Sequence, residues 1–505
     1  MNKFYISTAI SYVNGLPHIG HALEFIQADA MARFHRLKGE KVHFLTGTDE
    51  HGSKIFEKAE EEGTSTQVFV DRNAAIFRSL GPILNLSNDD FIRTTEERHK
   101  EGAKKIWLKM EERGDIYKGS YSGLYCVGCE SFISEKDLDE EGLCPNHKKA
   151  PSYLEEENYF FRLSKYSDQI KQLIENDEVK VMPESRKKEM LNIIGTDGLH
   201  DVSFSRPKNV LPWGVNVPGD ENQVMYVWCD ALSNYITGLD YANEGQLYQD
   251  FWPADVHLIG KDILRFHAGI WIGMLLSAGE ALPKSVCVHG FVTSEGQKMS
   301  KSLGNVVDPL EVAEKYGSEA LRYYLLREIP TGDDGDFSKQ RFISLYNSEL
   351  ANSLGNLVNR VLMMLERYVQ GIVPERTEGN ETAEVVEVLY ARYEASVLGF
   401  DLKSACECIV ELTNFANKYI DDKKPWVMAK EDEYGLQGVL YDLVEMLRFI
   451  AVLLLPILPL AAEKIISQLG LKVGDLAFDS KWGQMKKGQT VKSGEVLFPR
   501  IEEEL

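Results

Sequence analysis

At 505 residues the chain has room for about three domains, and its 44% hydrophobic content is ample for large cores. Lys and Arg number 56 against 78 Asp and Glu, a formal charge of −22, which excludes a uniformly basic chain and confines any nucleic-acid contact to local basic strips with strong salt dependence. No uncharged apolar run reaches about 18 residues and no cationic start precedes an apolar stretch, so neither a membrane span nor a secretory signal is expected, and a soluble cytoplasmic protein is the default. Seven cysteines, an odd number, argue against a disulfide framework.

Phe4 to Ile10 is an apolar, β-prone run that predicts a buried first strand. Asn14-Gly15 and Pro17 break the chain, and Ile19, Leu23, Ile26, Ala30 and Phe34 then recur at helical spacing. His18 and His21 therefore fall where a strand gives way to a helix N-terminus. Its unpaired N–H groups and dipole suit an anion such as phosphate. Alone, the stretch fits two readings equally: a helix cap with two partly buried histidines, or imidazoles that donate to phosphate oxygens as charge develops. Lys41 to Thr46 predicts a second strand, which runs into a turn at Gly47 to Gly52. In open α/β sheets ligands lie over such carboxyl ends. Asp49 there fits either an ammonium ligand or a helix N-cap. A charge-rich helix, Glu96 to Arg113, closes this half.

From Gly114 to Val224 the alternation stops. Tyr117 to Tyr125 is β-like, and Cys126-x2-Cys129-x14-Cys144-x2-His147 follows. Two tight pairs of soft ligands can converge into a tetrahedral zinc site with three sulfurs and one nitrogen. Gly128 and Pro145 favour the knuckle turns such pairs use. Four protein ligands leave no open position, so the site reads as structural. Cys229, Cys287, Cys406 and Cys408 read as small buried apolar residues.

Alternation resumes near Gln223. Val224 to Trp228 predicts a strand leading into a helical start over Asp230, Ala231 and Tyr235; Asp255 to Gly260 predicts the next strand, and Lys261 to Ala278 a helix carrying Phe266, His267 and Trp271. These aromatics fit plain core packing or an apolar slot. Val286 to Thr293 follows, then the loop SEGQKMSKSLGN with Lys298, Ser300 and Lys301, then a helix from Leu310 to Leu326. The loop is either a solvated surface loop or a mobile cationic clamp for polyphosphate. Helical stripes over Leu345 to Val369, Ala383 to Leu398, Ser404 to Tyr419 and Leu436 to Leu455 predict an antiparallel bundle. Asn356 and Arg360 share a helix face, and Trp426 follows Pro425 at a break. They fit a solvated face with a packed tryptophan, or a set that reads and stacks single-stranded bases. Lys418, Lys423, Lys424 and Lys430 against Asp421 and Asp422 make one local basic strip.

His18-Ile19-Gly20-His21 and Lys298-Met299-Ser300-Lys301-Ser302, in that order, resemble the two signature motifs of class I aminoacyl-tRNA synthetases. Ala9, Ile10, Tyr12, Asp49, Trp228, Ala231, Tyr235, Phe266, His267 and Trp271 match, position by position, the methionine pocket of the methionyl-tRNA synthetase family. Leu232 stands where the family often has proline and Ile10 where it has leucine; both keep apolar bulk. Asn356, Arg360 and Trp426 match the family's anticodon readers, and the resemblance runs from Phe4 to Leu497-Phe498-Pro499-Arg500.

The resemblance implies an α/β fold: a class I Rossmann-type parallel sheet with a zinc-knuckle insertion, followed by an all-α anticodon-binding bundle. The expected boundaries are 1–113 and 225–281 for the two halves of the catalytic domain and 114–224 for the insertion. A stem-contact region with the lysine loop follows at 282–337, the bundle at 338–480 and a tail at 481–505. It implies ATP-dependent activation of L-methionine to the adenylate and transfer to tRNA(Met), the initiator included. His18, His21, Lys298 and Lys301 would be catalytic, and with Gly20 and Ser300 would bind ATP accompanied by Mg2+. One structural Zn2+ would sit on Cys126, Cys129, Cys144 and His147, although relatives often carry four cysteines. Many members continue into a dimerising domain that does not follow Arg500, so a monomer is expected, without a membrane partner. The alternatives are a class I synthetase for another apolar amino acid and a non-catalytic tRNA-binding relative.

Overall fold

The computed structural model describes residues 2–126, 131–133, 138–145, 148–299, 304–376 and 381–502. The chain begins with β1 (Lys3–Thr8), β2 (Ser11–Tyr12), α1 (Ile19–Leu37), β3 (Lys41–Asp49), α2 (Ser53–Glu61), α3 (Thr66–Ile83), β4 (Asp90–Arg93) and α4 (Glu97–Glu112). All strands of the central seven-stranded sheet pair in parallel. β1 lies between β3 and Val256–Gly260, which pairs on with Ser285–His289 and then Lys180–Met182, while β2 and β4 both pair with β3. Both faces of the sheet are covered, which is why β1 reads as a continuous apolar run rather than an alternating one. Phe4 and Ile6 join the core shared with α1; Tyr5 between them joins the opposite core with Trp107, Tyr235 and Trp271.

Four expectations need correction. β3 continues to Asp49, so Gly47 is inside a strand and not a turn; a Cβ there would lie 2.0 Å from the Ile92 carbonyl oxygen. The glycine answers a close strand approach. The apolar run at Val224 ends a strand, Asp220–Met225, of a separate small antiparallel sheet, and Trp228 lies on the helix Val227–Ala231. A short apolar run cannot say which sheet it joins. Lys180–Met182 is an edge strand of the main sheet although it falls within 114–224; three residues with an exposed lysine carry no readable pattern. The helix expected over Leu310 to Leu326 is two, Pro309–Tyr316 and Ser318–Glu328, parted by Gly317 at φ +86°.

A separate antiparallel sheet is formed by Ile116–Cys126, Ser131–Ile133, Ser152–Phe161 and Val202–Ser203. The C-terminal half is a bundle. It runs from Lys339–Leu345 through a π-helical segment, Tyr346–Gly355, into Asn356–Val369. Glu381–Leu398, Leu402–Lys423, Pro425–Glu431, Glu433–Leu454 and Pro459–Gln468 follow. Its apolar faces share one core with α1. Arg322, fully buried, joins the halves: it pairs with Asp29 of α1 at 2.8 Å and donates to the carbonyls of Pro456 and Ile457 at 3.1 and 3.0 Å. The segment after residue 480 closes back on the bundle, where the N–H groups of Gly483, Gln484 and Met485 donate to buried Glu445. No helix among the described residues is long and apolar enough to cross a membrane.

Candidate active site

From β1 the chain crosses to β3 on one side, while Val256–Gly260 flanks β1 on the other. Ligands bind over the carboxyl ends at such a reversal of strand order. The segment leaving β1 threads that crevice: Ala9 N–H donates to the Leu258 carbonyl at 3.0 Å and Val13 N–H to the Asp49 carbonyl at 3.2 Å. β2 pairs Tyr12 with Asp49, which puts Ala9, Ile10, Tyr12 and Asp49 on one rim.

His18 is the N-cap of α1. Its Nδ1 accepts from Gly20 N–H at 3.1 Å, and His21 Nδ1 accepts from His18 N–H at 3.1 Å. With both Nδ1 atoms engaged as acceptors, each neutral ring carries its proton on Nε2. The rings stack, centroids 3.9 Å apart. Burial lowers the pKa of His18; burial, then the charges of His18 and His289, holds His21 well below the ordinary value. The pair is therefore two neutral donors at a helix N-terminus. Gly20 is needed because a Cβ would press to 3.0 Å from the His18 ring. Ile19 N–H donates to the Val307 carbonyl at 3.1 Å, so the return of the lysine loop is stitched to the first residue of α1. Lys298 is exposed, its carbonyl held by Asn305 Nδ2 at 3.3 Å. Ser300 and Lys301 lie outside the described residues.

The aromatic positions converge. Trp228 and Phe266 stack at 3.9 Å with an 11° interplanar angle. Tyr235 O–H donates to His267 Nε2 at 2.6 Å, while His267 Nδ1–H donates to the Ile263 carbonyl at 2.9 Å. Burial outweighs that carbonyl and lowers His267 to about 4, so it is neutral. A π-helical segment, Phe266–Trp271, interrupts the expected helix and sets the spacing of these side chains. Ala9, Ile10, Tyr12 and Trp228, each partly exposed, pack on the core that holds Tyr235, Phe266 and Trp271; Ala231 is buried on the same short helix as Trp228. Trp271 is fully buried and donates to His257 Nε2 at 3.3 Å. Asp49 does not cap a helix; Gly52 occupies the N-cap of α2. The Asp49 carboxylate accepts from His51 N–H at 3.3 Å.

Several residues of the site carry no sequence signal. Tyr5 O–H supports the Tyr235 carbonyl at 2.6 Å, and Ser7 meets His257 Nδ1 at 2.7 Å. His289, at the end of Ser285–His289, meets Glu24 of α1 at 2.8 Å and donates from Nδ1 to the Gly290 carbonyl. Burial would lower its pKa, but Glu24 outweighs burial and raises it. A helical Glu and a strand-end His, 265 positions apart, show no pattern that pairs them.

On the bundle, Asn356 is exposed and Arg360 half-buried in Asn356–Val369, where Arg360 meets Asn417 at 3.3 Å and Asp421 at 2.8 Å. Trp426 is 45% exposed, just after Pro425 opens its helix. Of the expected zinc ligands Cys126 and Cys144 are buried, and Cys129 and His147 lie outside the described residues. Among the described residues no cluster of three or more His, Cys, Asp or Glu is placed to hold a metal.

The family described as tRNA synthetases class I (M) matches residues 4–153 and 146–362, and the anticodon binding domain of methionyl tRNA ligase matches 373–505. A methionine–tRNA ligase of Caldanaerobacter subterraneus is 47% identical over 99% of this chain and 79% of the relative; that of Brucella suis is 43% identical over 99% and 98%. The Mycobacterium tuberculosis methionyl-tRNA synthetase in complex with methionyl-adenylate shares the fold with TM-score 0.95 at 39% identity, covering 99% of this chain and 100% of that one. Its free-state form gives 0.89 at 36%, covering 100% and 99%.

Proposed function

The chain belongs to the class I methionyl-tRNA synthetases and is a methionine–tRNA ligase, and from that premise we propose which of its residues carry each step. The stitching of the His18–His21 helix end to the return of the lysine loop supports the reading most directly. It ties the chain that follows the loop to the helix end carrying the neutral N–H donors, which is where the loop's cations would have to act.

In the first step the methionine carboxylate attacks the α-phosphorus of ATP and pyrophosphate leaves. His18 and His21 donate Nε2–H to the phosphate oxygens as charge builds, joined by the N-terminal N–H groups of α1. Part of the triphosphate charge is shared by the Mg2+ that accompanies ATP; the rest falls to Lys298 and Lys301, with Ser300 and Gly20 shaping the site. Neutral imidazoles suit this role, because they hydrogen-bond developing charge without binding the ground-state triphosphate as tightly as cations would. Asp49 pairs with the α-ammonium. Trp228, Phe266, Tyr235 and Ala231 enclose the thioether, with Ala9, Ile10 and Tyr12 on the near rim and His267 and Trp271 fixing the walls. Positioning supplies most of the acceleration. In the second step the aminoacyl group passes to the 3′-terminal adenosine of tRNA(Met), the initiator included, chosen by Asn356, Arg360 and Trp426 on the bundle. A monomeric working unit is part of the same proposal. The segments 1–113 and 225–281 serve catalysis, 282–337 the stem contact, and 338–480 with its tail 481–505 the anticodon.

Cys126, Cys129, Cys144 and His147 suit one structural zinc. Cys126 closes the hairpin at its register with Ser131. Lys148 N–H donates to the Cys144 carbonyl at 2.7 Å, and Cys144 N–H donates to the Lys149 carbonyl at 2.9 Å. Elemental analysis should find one zinc per chain, lost in Cys144→Ala; a fully active metal-free protein would refute the site. Pyrophosphate–ATP exchange run with methionine, isoleucine, leucine and cysteine tests the whole scheme. Exchange is expected with methionine at far lower concentration than with the others, and exchange with none of them would leave only a tRNA-binding relative.

A further inference from the structure

The amino-acid pocket stands on two helices too short to hold themselves. Val227–Ala231 carries Trp228 and Ala231, and Asn234–Thr237 carries Tyr235. Neither reaches the length at which a helix sustains its own hydrogen-bond ladder. A buried carboxylate ties them down. Asp230 is fully buried, with His51 Nδ1 at 2.5 Å from one oxygen and His99 Nε2 at 2.6 Å from the other. His51 lies just past Asp49, to whose carboxylate its backbone N–H donates. His99 stands in the first turn of α4, and its Nδ1 meets Thr237 Oγ1 at 2.8 Å, at the end of the second short helix. Thr237 sits so close to α4 that a Cβ on Gly102 would come within 2.4 Å of its Cγ2. From the insertion side, the Trp213 indole donates to the Glu50 carbonyl at 2.6 Å and packs edge-on against His51. Burial would raise the pKa of Asp230, but the two imidazoles outweigh it and hold it well below the usual carboxylate range.

We propose that Asp230 is a positioning residue for methionine: through His51 and His99 it fixes the span between Asp49, which takes the ammonium, and the slot of Trp228, Ala231 and Tyr235, which takes the side chain. The proposal rests on the reading of those four residues as the amino-acid site. An α-amino acid is gripped at both ends, so selectivity for a side chain of one length needs the two grips held at one separation. A single carboxylate bonded to the turn behind one grip and to the helices under the other supplies that constraint. Asp230 itself touches no substrate.

Asp230→Asn keeps the size but presents an N–H2 to one of two imidazoles that now donate, so one link breaks. In pyrophosphate exchange the KM for methionine should rise about tenfold, the scale of one buried charge-assisted hydrogen bond. The KM for ATP and kcat should stay within about twofold. Thr237→Val, which removes one hydroxyl, should raise the same KM by less. Equal losses for both substrates, or an unchanged methionine KM in the folded variant, would overturn the proposal. Should Asp230→Asn not fold, Thr237→Val and His51→Gln decide by the same ratio, and an unmoved methionine KM in both rejects it. Absence of methionine-dependent exchange in the unaltered protein would instead sink the pocket reading, and this proposal with it.

Discussion

The crevice over the sheet and the outer face of the bundle, the two proposed ligand sites, are built in opposite ways. Around the crevice, the polar rings are at least partly buried and already partnered: His18 and His21 are bonded to backbone N–H groups, and Tyr235 to His267. On the bundle, Asn356 is exposed, Trp426 nearly half exposed, and Arg360 tied only to polar groups at the surface. All eleven histidines of the chain precede Gly290, so none lies in the bundle. Chemistry at phosphorus needs dipoles that do not move when charge develops, in a site with little water. Reading a macromolecule needs groups that solvent, and therefore RNA, can reach.

The sharpest way to break this contrast is His18→Ala. It removes an Nε2–H donor and the N-cap of α1, and exchange kcat should fall about 10²- to 10³-fold with methionine binding little changed. The cap itself accounts for only about 1 kcal/mol of stability. A variant with normal exchange and weakened methionine binding would show that the imidazoles are mere packing.

The second test is acid. Burial lowers His18, His21 and His257 as well as His267, which sits at about 4. Below the ordinary value of 6.5 the unfolded chain takes up protons that these folded sites refuse, so stability should fall as pH falls from 7 toward 4. His267 alone would contribute roughly 3 kcal/mol of that loss by pH 4. His289 works in the opposite sense, since its pKa is raised: its contribution is complete at low pH and fades as pH rises. The lowered group outnumbers it. Melting temperature against pH should therefore decline on the acid side, and the slope should flatten in His267→Asn. A flat profile in the parent protein would mean that these rings are hydrated.

Third, Trp426→Ala should lower tRNA charging efficiency about ten- to a hundredfold, the worth of one stacked base, and leave exchange unchanged. Equal loss of both activities would erase the division between the two regions.

How much of this was legible in the sequence follows the same division by physical cause. α1 and the long bundle helices were readable because their apolar stripes recur over many turns; α1 begins at Ile19 as the spacing requires. The two histidines were readable because a glycine and a proline mark the strand-to-helix passage beside them. Lys180–Met182 and the helix Val227–Ala231 were not, because three to five residues hold no period and their state is decided by neighbours distant in sequence. Gly47 misled for a related reason: a glycine demanded by strand contact looks like a glycine demanded by a turn. Asp230, Glu24 and His289 were silent because a buried pair is defined by where two distant segments of the chain meet.

The smallest effect is the most informative about the bundle face. Arg360 is a proposed base reader, yet it is paired at 2.8 Å with Asp421, whose side chain is 63% exposed. An exposed pair is worth well under about 1 kcal/mol, so it can be exchanged for an RNA partner at little cost. The arginine is thus held roughly in place without being committed, unlike the histidines of the crevice. Asp421→Asn should release it and remove one negative charge that any bound RNA must approach. The KM for tRNA should fall by about two- to threefold, with a slightly steeper salt dependence and no change in exchange or melting temperature. A rise in that KM would show instead that Asp421 orients Arg360 for its base, and the bundle face would then be preorganised in the manner of the crevice.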